Sequence, residues 1–120
     1  IITDHVGFVY LITNLTNHKM YIGKKLFRFK RTKKIKGKKK KVTIASDWIT
    51  YYGSNFDLIE DVKLFGETAF KREILHLCKS KGVCNYLEMK EQILRNVLES
   101  DNYYNEQIRA RVHKSHLRLL

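Results

Sequence analysis

The chain has 120 residues, which fit a single domain spanning 1–120 and leave none for a second core. Hydrophobic residues make up 43% of it, too many for a disordered chain, and no apolar run approaches the roughly 18 residues of a membrane-spanning helix. No charged-then-apolar leader opens the sequence, and Cys78 and Cys84 do not form a disulfide framework. These features predict a cytoplasmic protein with no membrane partner.

The positive charge is concentrated in one segment. The net charge is +12, and residues 24–41 hold 12 Lys or Arg residues and no acid, so the remaining charges balance. Such a run repels itself and favours a polyanionic partner, for which nucleic acid fits best. A solvated loop or a localisation signal is the alternative. The lysines expected to contact DNA are Lys24, Lys25, Lys30, Lys33, Lys34, Lys36, Lys38, Lys39, Lys40 and Lys41.

Two paired strands are predicted at the start of the chain. Residues 6–13 are rich in β-branched and aromatic side chains, a pattern typical of a buried strand. Residues 14–19 are polar and predict a turn, after which a second strand begins at Met20, antiparallel to the first. The basic segment that follows carries no pattern that predicts regular structure, apart from an extended return at Val42 and Ile44.

Two helices and a third strand complete the predicted fold. Ser54 with Asp57 is typical of a helix start, and Gly66 is typical of a helix stop, which bounds a helix of about ten residues. Residues 70–78 predict a strand and residues 83–99 a longer helix. The elements together predict an α+β fold, with a small antiparallel sheet packed against helices.

Polar side chains interrupt the apolar patterns at three places. Tyr10 and Tyr21 lie in the two apolar strands, close enough for their hydroxyls to converge. Asn105 closes a polar run after the long helix, where it is able to cap the helix end or to orient a phosphate. Each of these observations alone is also compatible with ordinary packing.

The third place is a carboxylate on the long helix. Leu87, Glu91 and two further leucines, at positions 94 and 98, fall on one helical stripe, so Glu91 is expected to face the core beside a cation. The candidate cations are Arg95, four residues on, and a divalent metal with oxygen ligands. Glu88 would be the ligand if the phase of the helix differs.

Two short motifs resemble the pair that names the GIY-YIG nucleases. Phe8-Val9-Tyr10 is followed, ten residues later, by Tyr21-Ile22-Gly23. Tyr51-Tyr52-Gly53-Ser54, Leu64-Phe65-Gly66 and the strand from Phe70 to Leu75 then occur in the order seen in small phage-encoded members, many of them free-standing homing endonucleases. The resemblance covers residues 7–105. It implies a three-stranded antiparallel sheet flanked by helices, and a metal-dependent endonuclease that hydrolyses phosphodiester bonds in double-stranded DNA.

The resemblance assigns roles to the motif residues. Tyr10 and Tyr21 match the tyrosines that line the family's cleft and help to deprotonate the attacking water, and Gly23 matches the glycine that lets the backbone pass close to the site. A tyrosine that acts as a base needs a lowered pKa, which a neighbouring cation provides. Lys24 or Lys25 is expected to do so.

The remaining roles fall on charged and amide residues. Glu91 matches the glutamate that binds a single divalent metal, Mg²⁺ with Mn²⁺ as the alternative, and Asn105 matches an asparagine after the long helix of some members. Arg31 matches the family arginine by position. Because the stretch is so basic, three other cations remain candidates for the same role: Lys24, Lys25 and Arg28.

Two other functions remain open. A binding module that has lost catalysis would hold DNA without cleaving it, and a basic structural protein would use the tyrosines and Glu91 for packing and ion pairs. A zinc site at His76, Cys78 and Cys84 is disfavoured, because the cysteines lack the close pairing of structural zinc sites. The sequence leaves the DNA target undefined and homo-oligomerisation open.

Overall fold

A computed structural model describes residues 4–120 and confirms the α+β class. The strands of the main sheet follow the order β2-β1-β5 and are antiparallel. A second, two-stranded sheet consists of β3 and β4. The elements are β1 (Gly7–Asn14), β2 (Met20–Leu26), β3 (Arg28–Ile35), β4 (Lys38–Ala45), α1 (Phe56–Phe65), a 3-10 turn (Glu67–Ala69), β5 (Phe70–Cys78), α2 (Lys81–Leu94) and a second 3-10 turn (Lys114–Leu117).

The central strand β1 is buried on both faces, which explains why its sequence is apolar throughout. On one face Phe8, Tyr10 and Ile12 pack into a cluster that includes Leu58 of α1. On the other face the alternate residues of β1 pack against Val83 and its neighbours on α2. A sheet covered on both faces reads as a continuous hydrophobic run because each face contributes every second residue.

The basic segment forms a β-ribbon, where the sequence predicted only an extended return at Val42 and Ile44, which lies in β4. β3 and β4 pair antiparallel from Arg28 opposite Ala45 to Ile35 opposite Lys38. Lys36 and Gly37 join them with φ angles of 51° and 79°, as a two-residue hairpin turn requires. The rest of the ribbon was not predicted because lysines and arginines occupy both faces, so the few apolar residues on one face are too widely spaced to reveal the strands.

The ribbon is anchored at its base by Phe27, the single residue between β2 and β3. Its ring is buried, 4.9 Å from the ring of Trp48 and 5.0 Å from that of Phe8. Its backbone N–H donates to Val6, and its carbonyl accepts from Ser46 at the end of β4. Both ends of the ribbon are therefore fixed to the main sheet.

The first helix is close to the prediction. It has the expected ten residues, and Gly66 ends it at a φ of 84°. Its cap is Asn55 and not Ser54: the Asn55 side chain accepts a hydrogen bond of 3.0 Å from the backbone N–H of Leu58.

The second helix is shorter than predicted, and its predicted apolar stripe is wrong. It ends at Leu94, and Asn96 reverses the chain with a φ of 53°. Leu94 and Leu98 are 68% and 52% exposed, while Val97 enters the core in their place. The face of α2 toward the sheet carries Cys84, Glu88 and Gln92, spaced four residues apart. No helix within residues 4–120 is long and apolar enough to cross a membrane.

Phe27→Ala should lower the free energy of unfolding by about 3 kcal/mol or more, the usual scale for removing a buried phenylalanine. Phe29→Ala is the matched control. Phe29 lies two residues on and is 36% exposed, so its loss should cost less than about 1 kcal/mol. Urea denaturation followed by tryptophan fluorescence measures both, since Trp48 contacts Phe27. Equal losses in the two variants would contradict the anchoring role of Phe27.

Candidate active site

A cleft of about 310 Å³ lies beside β2, between that edge strand, α2 and the segment that follows α2. Its walls are mostly polar and mix anionic, cationic, amide and phenol groups. The polar side chains in its walls include Tyr21, Lys24, Glu88, Gln92, Asn105 and Arg109.

The two motif tyrosines converge, as their strand positions predict. Their ring centroids are 6.2 Å apart. Gly23 lies directly opposite Tyr10, and a Cβ there would overlap the Tyr10 hydroxyl. Gly53, with a φ of 89°, passes the other ring so closely that a Cβ would lie 3.1 Å from Cε2 of Tyr21. The two glycines therefore make room for the phenols, because a side chain at either position would displace them.

Both phenols are harder to ionise than free tyrosine. Burial raises the pKa of Tyr10 well above its ordinary value, and Tyr21, Tyr51 and Glu88 raise it further. Burial also raises the pKa of Tyr21, although a hydrogen bond with Ser54 opposes the shift. The two phenols are therefore neutral at physiological pH.

The expectation that Lys24 or Lys25 lowers a phenol pKa is therefore wrong. Both cations are held by nearer carboxylates. The Lys24 amine lies 3.6 Å from Glu88, and the Lys25 amine lies 2.7 Å from Asp47, above the ring of Tyr51 at 3.8 Å. Burial, the leading cause of both phenol pKa shifts, sets their direction.

Glu88, and not Glu91, lines the cleft. The Glu88 side chain is 13% exposed, and burial raises its pKa while the attraction of Lys24 opposes the rise. Glu91 lies one turn away with its carboxylate 2.8 Å from Nε2 of His76 and 3.0 Å from Nε of Arg95. The leucines at 94 and 98 predicted a helix phase with Glu91 toward the site, and the structure has the other phase, for which Glu88 was the alternative.

Two amide side chains hold the free edge of β2. Asn105 accepts from the N–H of Ile22 at 3.0 Å and donates to its carbonyl at 2.8 Å, as a neighbouring strand would. Gln92 donates to the same carbonyl at 3.2 Å. Its Oε1 is buried and has no hydrogen-bond partner, in a residue that lines the cleft. An unsatisfied buried oxygen is costly, and a donor or a cation beside it would remove that cost.

Of the cations predicted from the sequence, some line the cleft and others lie outside it. Lys24 lines it, whereas Arg28 and Arg31 lie exposed on β3, outside its walls. Arg109 lines it as well, although it sits in a tail to which the sequence gave no role. Ser54, Gln92 and Arg109 were missed because no periodic pattern marks them. The Tyr-Tyr-Gly-Ser motif was the one local signal, and it pointed to Ser54.

The cleft offers oxygen atoms that suit a hard divalent cation. Within residues 4–120 no three His, Cys, Asp or Glu side chains lie close enough to hold a metal ion by themselves. Glu88 and Gln92 both line the cleft, and the Oε1 of Gln92 is buried without a hydrogen-bond partner. Mg²⁺ prefers such oxygens and keeps several waters, so few protein ligands are needed. The residues present therefore fit the ion.

The fold and this cleft define a nuclease domain of the GIY-YIG class. A family model described as "Putative endonuclease segE, GIY-YIG domain" matches residues 1–108, and the chain belongs to that family. Membership implies a nuclease with DNA as its substrate, in a family that generally uses divalent metals. No curated protein and no solved structure matches the chain.

Glu91→Gln should lower stability by up to about 1 kcal/mol at pH 7, the scale of partly exposed ion pairs. Burial alone would raise the pKa of Glu91, but hydrogen bonds from His76 and Arg95 lower it below its ordinary value. A lowered carboxyl pKa adds stability above the unfolded value of about 4.3, and that stability is lost as the pH falls through the folded pKa. Thermal melts from pH 7 to pH 2.5 should therefore show the two proteins converging.

The exposed Glu99 supplies the control for this titration. Glu99→Gln should differ from the wild type by less than about 0.5 kcal/mol at every pH. A Glu91→Gln deficit that persists unchanged below pH 3 would show that the loss does not come from the ionised carboxylate.

Proposed function

We propose that the chain is a metal-dependent endonuclease that hydrolyses phosphodiester bonds of double-stranded DNA in this cleft. One observation carries the proposal: the Glu88 carboxylate, only 13% exposed, lines a cleft at the edge of the sheet whose walls also carry Tyr21, Lys24 and Arg109. A protein that only needed to fold would gain little from a carboxylate in that position, because burying it is costly. Membership of the family supports phosphodiester hydrolysis as the reaction of this cleft.

Glu88 replaces Glu91 as the proposed metal ligand. Its carboxylate faces the cleft, whereas that of Glu91 is engaged by His76 and Arg95. Oε1 of Gln92 is the second oxygen from α2 and lies one turn from Glu88. The chemistry that a divalent cation supplies in such a site is acidification of a water molecule and neutralisation of phosphate charge.

Two cations and one phenol, Tyr21, act on the phosphate. Lys24 and Arg109 attract it into the cleft and stabilise the charge that develops on its oxygens. Since Tyr21 keeps its proton, it donates a hydrogen bond to a phosphate oxygen and does not serve as a phenolate base. Tyr10 lies behind Gly23, only 5% exposed, and holds the position of Tyr21 through ring contact.

In the proposed reaction water attacks the phosphate directly, and no covalent intermediate forms on the protein. The water oxygen forms a bond to phosphorus as the bond from phosphorus to the leaving sugar oxygen breaks. The water loses a proton to solvent and the leaving oxygen gains one, which gives a phosphate monoester and an alcohol.

The basic segment supplies most of the proposed affinity for DNA. Its lysines are exposed along β3 and β4, and the ribbon begins two residues after the strand that carries Tyr21 and Gly23. Neutralising phosphates with such side chains releases counterions and makes binding depend steeply on salt. DNA held by the ribbon therefore lies beside the cleft.

Glu88→Gln should abolish the nicking of supercoiled plasmid that the wild type shows with magnesium, while DNA binding persists. The amide keeps the shape of the side chain and removes the charge that a cation needs. Agarose gels with and without Mg²⁺ measure cleavage, and mobility shift in EDTA measures binding. Wild-type protein that binds DNA but never cuts it under any divalent metal would leave only the inactive binding module.

Glu91→Gln is the matched control on the same helix. Because its carboxylate points away from the cleft, this variant should cut within about threefold of the wild type at 25 °C. Activity lost in Glu91→Gln and kept in Glu88→Gln would return the metal site to Glu91.

Tyr21→Phe should reduce cleavage about a hundredfold or more, the usual cost of removing one donor that stabilises the transition state. Tyr10→Phe should show a smaller loss, because its hydroxyl lies behind Gly23 and its ring is kept. Tyr52→Phe is the control, since the Tyr52 ring packs on Phe70 and Arg72 away from the cleft. Initial rates on plasmid measure all three, and a Tyr21→Phe protein that cuts at the wild-type rate would remove Tyr21 from the mechanism.

A further inference from the structure

The two faces of the β3–β4 ribbon carry matching sets of lysines near its tip. Side chains of directly paired residues point to the same face, and successive residues alternate. Lys33 therefore shares a face with Lys40 and Lys38, and we call these three face one. Face two consists of Lys34, Lys39 and Lys41.

The lysines of the ribbon tip repel one another. Lys33 lies directly opposite Lys40, and Lys34 lies directly opposite Lys39. Like charges in such pairs destabilise a sheet, and an isolated two-stranded ribbon is only marginally stable. No acidic residue occurs on either strand to compensate them. An arrangement of this kind is favourable where negative charge surrounds it on both sides.

A ribbon lying on the outside of a duplex would meet phosphates with one face only, and the lysines of the other face would remain in water. A ribbon inside a groove meets one phosphate backbone on each face. With its side chains a sheet occupies about 10 Å, the spacing at which sheets stack. The major groove, about 12 Å wide, admits that thickness, and the minor groove, about 6 Å wide, does not.

We propose that the ribbon tip inserts edge-on into the major groove of DNA, with face one toward one phosphate backbone and face two toward the other. The proposal rests on the proposed function for its partner, DNA, and adds the groove and the orientation. The ribbon spans roughly 26 Å at about 3.3 Å per residue, most of one helical turn. Because Phe27 fixes its base beside β2, the insertion sets which phosphate reaches the cleft.

Two triple variants with equal charge loss test the orientation. One replaces the lysines of face one with serine, and the other replaces those of face two. Binding of each to a 30-base-pair duplex is followed by fluorescence anisotropy in EDTA across a salt series. Each variant should flatten the log–log salt slope by about 2 to 3, because each phosphate contact contributes about 0.9. A control with Lys63, Lys71 and Lys90 replaced by serine, on other elements, should leave the slope unchanged.

A slope that changes in only one face variant would overturn the insertion and place the ribbon flat on one backbone. Slopes unchanged in both would place the DNA elsewhere. Wild-type protein gives a second test that needs no variant. Netropsin in the minor groove should change its Kd by less than about twofold, whereas a third strand in the major groove should weaken binding at least tenfold. The reverse pattern rejects the major groove.

The binding experiments test the groove insertion independently of the proposed catalysis. Binding in EDTA requires no cleavage. If both face variants flatten the salt slope but the wild-type protein never cuts DNA, the proposed hydrolysis is wrong and the groove insertion is supported. If wild-type protein nicks plasmid but both face variants keep the wild-type salt slope, the groove insertion is wrong and the proposed hydrolysis is supported.

Discussion

The free edge of β2 is the constraint on which the site depends. Buried peptide groups need hydrogen-bond partners, and in residues 4–120 no strand lies beyond β2 to supply them. Asn105 pairs with both backbone groups of Ile22, and Met20 exchanges backbone hydrogen bonds with Asn102 and Tyr104. The segment after α2 is thereby held along the edge strand. It closes the cleft and brings Arg109 into its wall.

Glu88 and Glu91 lie one turn apart on α2 and differ in burial and in the partners of their carboxylates. Glu91 is bonded to His76 and Arg95, which lower its pKa and use its oxygens. Glu88 is more buried and has only the longer contact with Lys24, so its pKa is raised. A satisfied carboxylate stabilises the fold, whereas a poorly compensated one is available to a ligand. Carboxyl groups with perturbed pKa values are common at functional sites, and they also occur in structural ion pairs.

Local patterns were enough for most of the fold. The apolar run of β1, the short turn after it and the stop at Gly66 each act within a few residues, and the sheet and the first helix followed from them. The β3–β4 ribbon could not be predicted in this way. Its pairing rests on backbone hydrogen bonds and on the anchoring of Phe27. Lysines occupy both faces, and the alternation at Val42 and Ile44 marks only the end of β4.

The sequence by itself determined the class of the fold and the kinds of group in the site: two tyrosines on paired strands, a glycine opposite one of them, a helix carboxylate and an excess of cations. Only the tertiary structure decided which carboxylate lines the cleft, because the phase of α2 is set by packing against the sheet and not by its leucines. It also decided the direction of the tyrosine pKa shifts, which depends on burial and on the nearby Tyr51 and Glu88. Distances between elements far apart in the chain control both, and no local pattern encodes them.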